Sequence, residues 1–395
     1  MKMKKLILGG LLSGALMISA CGKQPETPEE NTEIDLNAGA GDTMELNVSD
    51  SGNDGGEADT EEPEGDPEGK YRSELTNEWI DEELKDQRPI AVMVDNESTA
   101  LPHFGLTQAD IVYEMMNSTA NGRVTRLMPI VKDWAQIEQF GSIRSARPTN
   151  FMVAAEYNAI LIHDGGPFYI NDYVAKNYTN NLSGGFARFS NGKASEFTEY
   201  VTYEEYYNPD KQASFPGLGD RIDQAGYSTD YNSFYRGVHF NFSDDPIDLG
   251  SQGSVVGTAK NVTNIDLGGA FTHNNSQLKY NESTGTYDYY EYGKQHLDAG
   301  NNDAPLTFEN VILQKCTFTQ LDSEGYLIYN VLQSTPEDGY LIQDGKMVEI
   351  QWVKTGEEYP TVYTYKQSGV QVLLNTGKTY IGIIPADSWN KITLD

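Results

Sequence analysis

Arg88-Pro-Ile-Ala-Val-Met-Val-Asp-Asn96 is the stretch on which the fold turns. An unbroken apolar run that follows a proline and ends on Asp95-Asn96 is the pattern of a short strand buried on both faces. A second such run, Ala159-Ile-Leu-Ile162, ends in His163-Asp164-Gly165-Gly166. Between them, Val124 to Val131 and Phe140 to Ile143 read as strands, and Ala109 to Met116 fits either a strand or a helix. Pro148 suits the first position of a helix running to about Tyr157, where a missing N–H costs no hydrogen bond. Strand and helix patterns alternate from Arg88 to about Tyr235, which predicts an α/β layered arrangement.

Helix signals fade beyond about His239. Short strand candidates are separated by Asp322-Ser-Glu-Gly325, Glu337-Asp-Gly339, Asp344-Gly345, Ser368-Gly369 and Asn375-Thr-Gly377. Such spacing predicts a β-meander, and the abundance of Tyr and Thr suits pleated surfaces. The expected architecture is α+β: an α/β layered N-terminal domain over residues 71–238, then a β-rich C-terminal domain over 239–395.

Upstream of the folded part lies an address. Three lysines within Met1–Lys5 precede an uncharged apolar run from Leu6 to Ala20, too short to span a bilayer comfortably. Ile18-Ser19-Ala20-Cys21 then matches a bacterial lipobox, so residues 1–21 read as a lipoprotein signal ending at the lipidated Cys21. The pattern implies a diacylglyceryl thioether on Cys21 and residence outside the cytoplasm, held to the membrane by acyl chains. Residues 22–70 carry sixteen Asp and Glu, two Lys and no aromatic residue. A segment of that composition cannot bury enough surface to offset its ordering entropy, and it reads as an extended, disordered linker. With Cys21 committed to lipid, Cys316 has no disulfide partner, and its apolar neighbours predict a buried, inert thiol.

The net charge is −31, of which the folded part carries about −20. Nucleic acid does not suit such a surface. The five histidines are widely spaced, with no His-x-x-x-His and no cysteine pair, so no metal and no cofactor is expected. His296 and Asp298 alternate on one face of a short strand candidate and read as a surface pair.

Against this acidity, Arg123, Arg126, Arg144 and Arg147 fall within twenty-five residues, and no arginine lies beyond Arg236. Arg144 and Arg147 sit where a helix is expected to begin. Unpaired amides and the helix dipole there favour an anion, and guanidinium groups add bidentate donors for phosphate or carboxylate. Two readings are open: an anion site, or internal ion pairs with Asp95, Asp110, Glu114 or Asp164. If the strands ending at Asp95-Asn96 and His163-Asp164 are parallel neighbours, those four residues share one sheet edge with Arg144, where α/β ligands collect. Asp95 or Asp164 would then be a candidate base and His163 a candidate acid or metal ligand. Ser145 reads as a helix-entry residue, since no Gly-x-Ser-x-Gly elbow is present.

Several ordered motifs resemble one family. Arg88 to Asn96, Gly105 to Glu114, Gly122-Arg-Val-Thr-Arg126, Ser142-Ile-Arg-Ser-Ala-Arg-Pro148 and Ile162 to Gly166 are similar to the YerB-like lipoprotein family of bacteria. Later stretches follow it too: Tyr292 to Asp298, Phe308 to Val311, Ile350 to Lys354 and Leu374 to Lys378. The resemblance covers about residues 88–386, and Pro167 stands where the family is expected to have serine. It implies architecture and location, and it carries no assigned activity. Two classes of function fit. One is a binding module for an anionic, phosphate- or carboxylate-bearing envelope ligand, or for an envelope protein. The alternative is an enzyme acting on a phosphorylated polyprenyl-linked or cell-wall substrate. The order strand, turn, strand, Ser-Ile-Arg-Ser-Ala-Arg, helix is similar to that of the LytR-CpsA-Psr phosphotransferases, a likeness at fold level.

Replacing Cys21 by alanine is expected to abolish incorporation of a fatty-acid probe during metabolic labelling. Equal label on variant and wild type would overturn the lipobox reading.

Overall fold

The apolar run after Arg88 forms two strands, Ile90–Val92 (β1) and Val94–Asp95 (β2), in a computed structural model that describes residues 66–395. The expected signal at residues 1–21, with Cys21, and the acidic segment through residue 65 lie outside the described residues. Between the two strands the chain pairs sideways: Met93 N–H donates to the Ile162 carbonyl, and Arg144 N–H to that of Met93. Ile111–Met116 (β3), open to either state in the sequence, is a strand whose six residues are all buried. Thr125–Val131 (β4), Ile160–His163 (β5) and Asn181–Ser183 (β6) complete the N-terminal contribution to a large sheet. The later part of the chain adds Lys260–Asn261 (β7), Asn310–Cys316 (β8), Gln333–Gln343 (β9), Lys346–Lys354 (β10), Val362–Tyr365 (β11) and Thr379–Pro385 (β12).

The strand order is β7-β10-β9-β8-β12-β3-β4-β1-β5-β6, with β11 on β10 and β2 on β4. Strands from before and after residue 238 therefore enter one sheet. Two are joined in parallel through β12, which pairs with β8 on one side and β3 on the other. β1 and β5 also run parallel, with Val92 opposite Ile162. Because side chains alternate across a strand, the sheet feeds two cores. Ala91, Met93, Tyr113, Met115 and Met128 enter one; Ile90, Val92, Val112, Leu127 and Val131 enter the other. Burial of both faces accounts for the unbroken apolar runs.

The fold is strand-rich. Pro148–Glu156 (α1) covers the first core with Phe151, Met152 and Val153, and Leu218–Ala225 (α2) adds Leu218 and Ile222 to the second. Much of the second face is covered by a six-stranded sheet built around Gln277–Asn281 and Thr286–Glu291, which contributes Leu278, Tyr287 and Tyr289. The alternation of strand and helix expected over residues 88–235 thus yields only two helices as long as eight residues among the described residues. α1 starts as its sequence predicts: Pro148 opens it, and the Arg147 N–H donates to the Asn150 side chain at 2.6 Å. It stops before Asn158, which takes the left-handed conformation at φ 52°.

In the later region, Asp344-Gly345 turns β9 into β10, as expected. Glu337-Asp-Gly339 is not a turn but lies inside β9. A side chain at Gly339 would come within 2.9 Å of the Leu313 carbonyl, so glycine serves close strand approach there. The meander is also broken by β12, which leaves its sequence neighbours to lie between β8 and β3. Cys316, at the end of β8, is buried, and burial pushes its thiol pKa well up.

One buried ion-pair cluster links α1 to the later strands. Glu156 meets Lys354 Nζ at 3.2 Å and His239 Nε2 at 2.7 Å, and accepts the Thr361 N–H at 2.9 Å. Burial alone would raise the Glu156 pKa, but Lys354 and His239 outweigh it and hold the carboxyl at about 2. Lys354→Met strands that carboxylate and is expected to cost ~3–5 kcal/mol in urea unfolding. In the wild type, a carboxyl held below its unfolded value contributes stability that is present above about pH 4.5 and lost as pH falls toward about 2. Lys354→Met should flatten that acid dependence, and an unchanged acid profile would refute the assignment.

Candidate functional site

Asp95 ends β2 and lies opposite Arg126 of β4 in register. The register places Arg126 Nη1 2.9 Å from Asp95 Oδ1, with the carboxylate fully buried. Arg144 brings Nε to 2.8 Å from Asp95 Oδ2, an ion pair whose N–H direction misses hydrogen-bond alignment. Its Nη1 reaches Glu196 at 3.1 Å, on the partly exposed side. One buried carboxylate is thus shared by two guanidinium groups. Burial lowers the Arg126 pKa, Asp95 opposes that, and Arg144 adds to it.

Arg147 has no such partner. Among the described residues no carboxylate lies within ion-pair distance of it. Its Nε donates to the Asn117 carbonyl at 3.2 Å, and its Nη1 donates to Ser145 Oγ and the Ala146 carbonyl, each at 3.0 Å. The guanidinium lies 4.7 Å from the Tyr326 ring centre. Only 7% of the residue is exposed, and burial together with Arg126 pulls its pKa down to about 10.

Arg147 and Arg126 line one narrow cleft at the head of α1, with Asn117, Thr149, Asn150 and Tyr329. Arg126 Nε and Asn117 Oδ1 are buried there without a hydrogen-bond partner. The cavity that the cleft encloses is about 10 Å³, room for about one water-sized group, so a single oxygen of an anion fits between the two arginines as they stand. Arg126 and Arg144 share Asp95, Arg144 also meets the half-exposed Glu196, and Glu97 and Asp322 act on Arg126 and Arg147 from nearby.

The remaining sequence candidates are employed otherwise. Arg123 forms a fork with Asp387 at 2.8 and 2.7 Å and also reaches Ser388. Asn96 is fully buried, donating to Thr125 Oγ1 at 2.9 Å and accepting Tyr292 O–H on its carbonyl at 2.7 Å. His163 has both ring nitrogens satisfied: Nδ1–H donates to the Gly165 carbonyl at 2.8 Å, and Nε2 accepts from Asn181 at 3.1 Å. Burial lowers its pKa, in keeping with a neutral ring. Asp164 pairs with Arg188 at 3.2 Å, and the same guanidinium holds the buried Glu199 at 2.5 Å. Ser145 Oγ accepts from Arg147, and among the described residues no base is hydrogen-bonded to it.

Two buried polar groups, each named from the sequence, have surroundings that it did not reveal. Glu114 receives hydroxyl hydrogen bonds from Thr125, Ser276, Tyr289 and Tyr380 at 2.7–3.1 Å. Burial raises its pKa, while those donors oppose the rise. His296 is not a surface residue paired with Asp298. It lies against His103 in the interior, and Asp298 instead caps the turn at Gly105 and Thr107. His296 was marked only by its spacing from Asp298, and its true neighbour lies 193 residues away.

Comparison with known proteins places these features in a family. Residues 75–216 match the N-terminal domain, and residues 267–381 the C-terminal domain, of the family described as "Protein of unknown function (DUF3048)". The chain is 23% identical to the Bacillus subtilis (strain 168) protein named "Putative lipoprotein YerB", over 80% of this chain and 87% of that one. The crystal structure of YerB from Bacillus subtilis has the same fold, with a TM-score of 0.64 at 20% identity, covering 82% of this chain and 99% of the other.

The ion pairs predict different costs. Arg126→Met breaks a fully buried pair with Asp95 and should cost ~3–5 kcal/mol. Arg123→Met removes a partly exposed pair with Asp387 and should cost ~0–1 kcal/mol. Equal midpoint shifts for the two variants in urea unfolding would contradict this assignment.

Proposed function

The chain belongs to the DUF3048 family, and from that premise we propose that it is a lipid-anchored envelope protein that binds an anionic, phosphate- or carboxylate-bearing ligand in the cleft between Arg126 and Arg147. The lipobox at Ile18–Cys21 and the lipoprotein name of the Bacillus subtilis relative support the anchor. No helix among the described residues is long and apolar enough to cross a membrane.

The observation that carries the ligand reading is Arg147, a buried cation with no carboxylate partner, in a protein whose folded part is strongly acidic. A buried cation satisfied only by carbonyl and hydroxyl oxygens is costly. An anionic headgroup in the cleft would relieve that cost by accepting charge-assisted hydrogen bonds from Arg147 and from the unpartnered Arg126 Nε. The start of α1 adds a favourable dipole in the same place. Asp95 keeps Arg126 and Arg144 from repelling each other.

Inorganic phosphate, pyrophosphate and citrate, compared with chloride at matched ionic strength, are expected to raise the melting temperature of the wild type. Arg147→Met should melt within a few degrees of the wild type and lose that protection. Loss of one or two charged hydrogen bonds, ~1.5–3 kcal/mol, corresponds to roughly 10- to 150-fold weaker binding. Equal protection of the variant, or none of the wild type, would overturn the reading.

A further inference from the structure

We propose that His103, Glu291 and His296 form a buried binding site for one divalent ion of the zinc class. The site is distinct from the arginine cleft and does not depend on its function.

The three donors converge. His103 Nδ1 lies 2.9 Å from His296 Nε2, and Glu291 Oε1 lies 4.0 and 3.9 Å from those two nitrogens. A point about 2.1 Å from all three atoms exists in the plane they define. That matches the ~2.0–2.2 Å of zinc–nitrogen and zinc–carboxylate bonds. All three side chains are at most 2% exposed.

Hydrogen bonding leaves Glu291 free, while His103 Nδ1 and His296 Nε2 lie within hydrogen-bond distance of each other, a contact that a bound ion would replace. His103 Nε2 lies 2.6 Å from the Asp95 carbonyl, which can only accept, so that nitrogen carries the ring proton. Its Nδ1 then presents a bare lone pair toward His296 and Glu291. A histidine ligand that donates its other N–H to a backbone carbonyl is the usual supporting arrangement in metal sites. Both oxygens of Glu291 are buried without any hydrogen-bond partner. A buried carboxylate with both oxygens unpartnered is rare in folded proteins. A cation bound by either or both oxygens would satisfy it. Two imidazoles and a carboxylate select zinc-like ions over calcium or magnesium, which take oxygen ligands.

The backbone presets the geometry. Glu291 ends one strand of a hairpin that turns at Tyr292-Gly293, and His296 follows its short return strand, Lys294–Gln295. The His296 N–H donates to the Tyr289 carbonyl, and the Ala299 N–H to that of His103. Asp298 accepts the Gly105 and Thr107 N–H groups at 2.8 Å each. The hairpin therefore grips the loop that carries His103. A bound ion would staple the loop after β2 to the later sheet, so the inferred role is structural.

The test uses the mature chain, purified without a histidine tag from zinc-supplemented medium. Elemental analysis should find about one zinc per chain, the stoichiometry of a single closed site. Growth in cobalt should give the visible absorption of a low-symmetry nitrogen–oxygen site. Glu291→Gln keeps the shape and removes the anionic ligand. It is expected to lose the metal and the cobalt absorption, and to melt below the zinc-loaded wild type. If the three groups are merely a buried histidine pair beside a neutral acid, Glu291→Gln will melt at or above wild type and neither protein will hold metal. That result, or equal metal content in both proteins, overturns the proposal.

Discussion

Parallel pairing of β12 with both β3 and β8 is the constraint on which the rest of the structure depends. Thr379–Pro385 is buried along its whole length, and its two edges are hydrogen-bonded to strands from opposite ends of the chain. The register sets Gly382 beside Glu114 and Ile383 beside Met115. It also brings the Tyr380 hydroxyl to 2.7 Å from Glu114, so a polar group in the centre of the sheet is satisfied by the strand that seals it. The N-terminal and C-terminal regions of the family are in this way one hydrogen-bonded object.

The arginine cleft is assembled by that union. β2 and β4 hold Asp95 against Arg126, and the helix start holds Arg147. The later chain closes over them: Tyr326 lies against the Arg147 guanidinium, Tyr329 lines the cleft, and the Tyr329 N–H donates to Thr149 of α1 at 2.9 Å. Cations buried in an acidic protein would ordinarily each find a carboxylate. Here Asp387, Asp95 and Glu199 take Arg123, Arg126 and Arg188, while Arg147 and the fully buried Arg88 are left to neutral oxygen acceptors. Desolvation makes both arrangements costly, and Arg147 differs from the strut Arg88 in lining the cleft.

The cluster of His103, Glu291 and His296 shows the same logic with the opposite charge. It joins a loop of the N-terminal region to a hairpin of the C-terminal region, as the Glu156, Lys354 and His239 cluster joins α1 to β10. In the second case every charge is paired inside the protein. In the first, Glu291 is not, and the arrangement is complete only with a cation.

Local physics was legible in the sequence. Uninterrupted apolar runs marked β1 and β5 because burial on both faces removes the need for polar alternation, and Pro148 marked α1 because a first-turn proline loses no hydrogen bond. The address at Ile18–Cys21 and the acidity of residues 22–70 are properties of composition and stand on the sequence alone. The clustering of arginines was visible too, but their partners were not. Arg123 meets a carboxylate 264 positions away, and Arg126 one 31 positions away, while Arg147 meets no carboxylate among the described residues. Glu337-Asp-Gly339 read as a turn and proved to be strand, because close approach to Leu313 calls for glycine as much as a reversal does. The insertion of β12, the unpaired Arg147 and the meeting of His103 with His296 were decided by tertiary structure. Each depends on the register in which distant strands share hydrogen bonds, and spacing along a chain carries no record of that register.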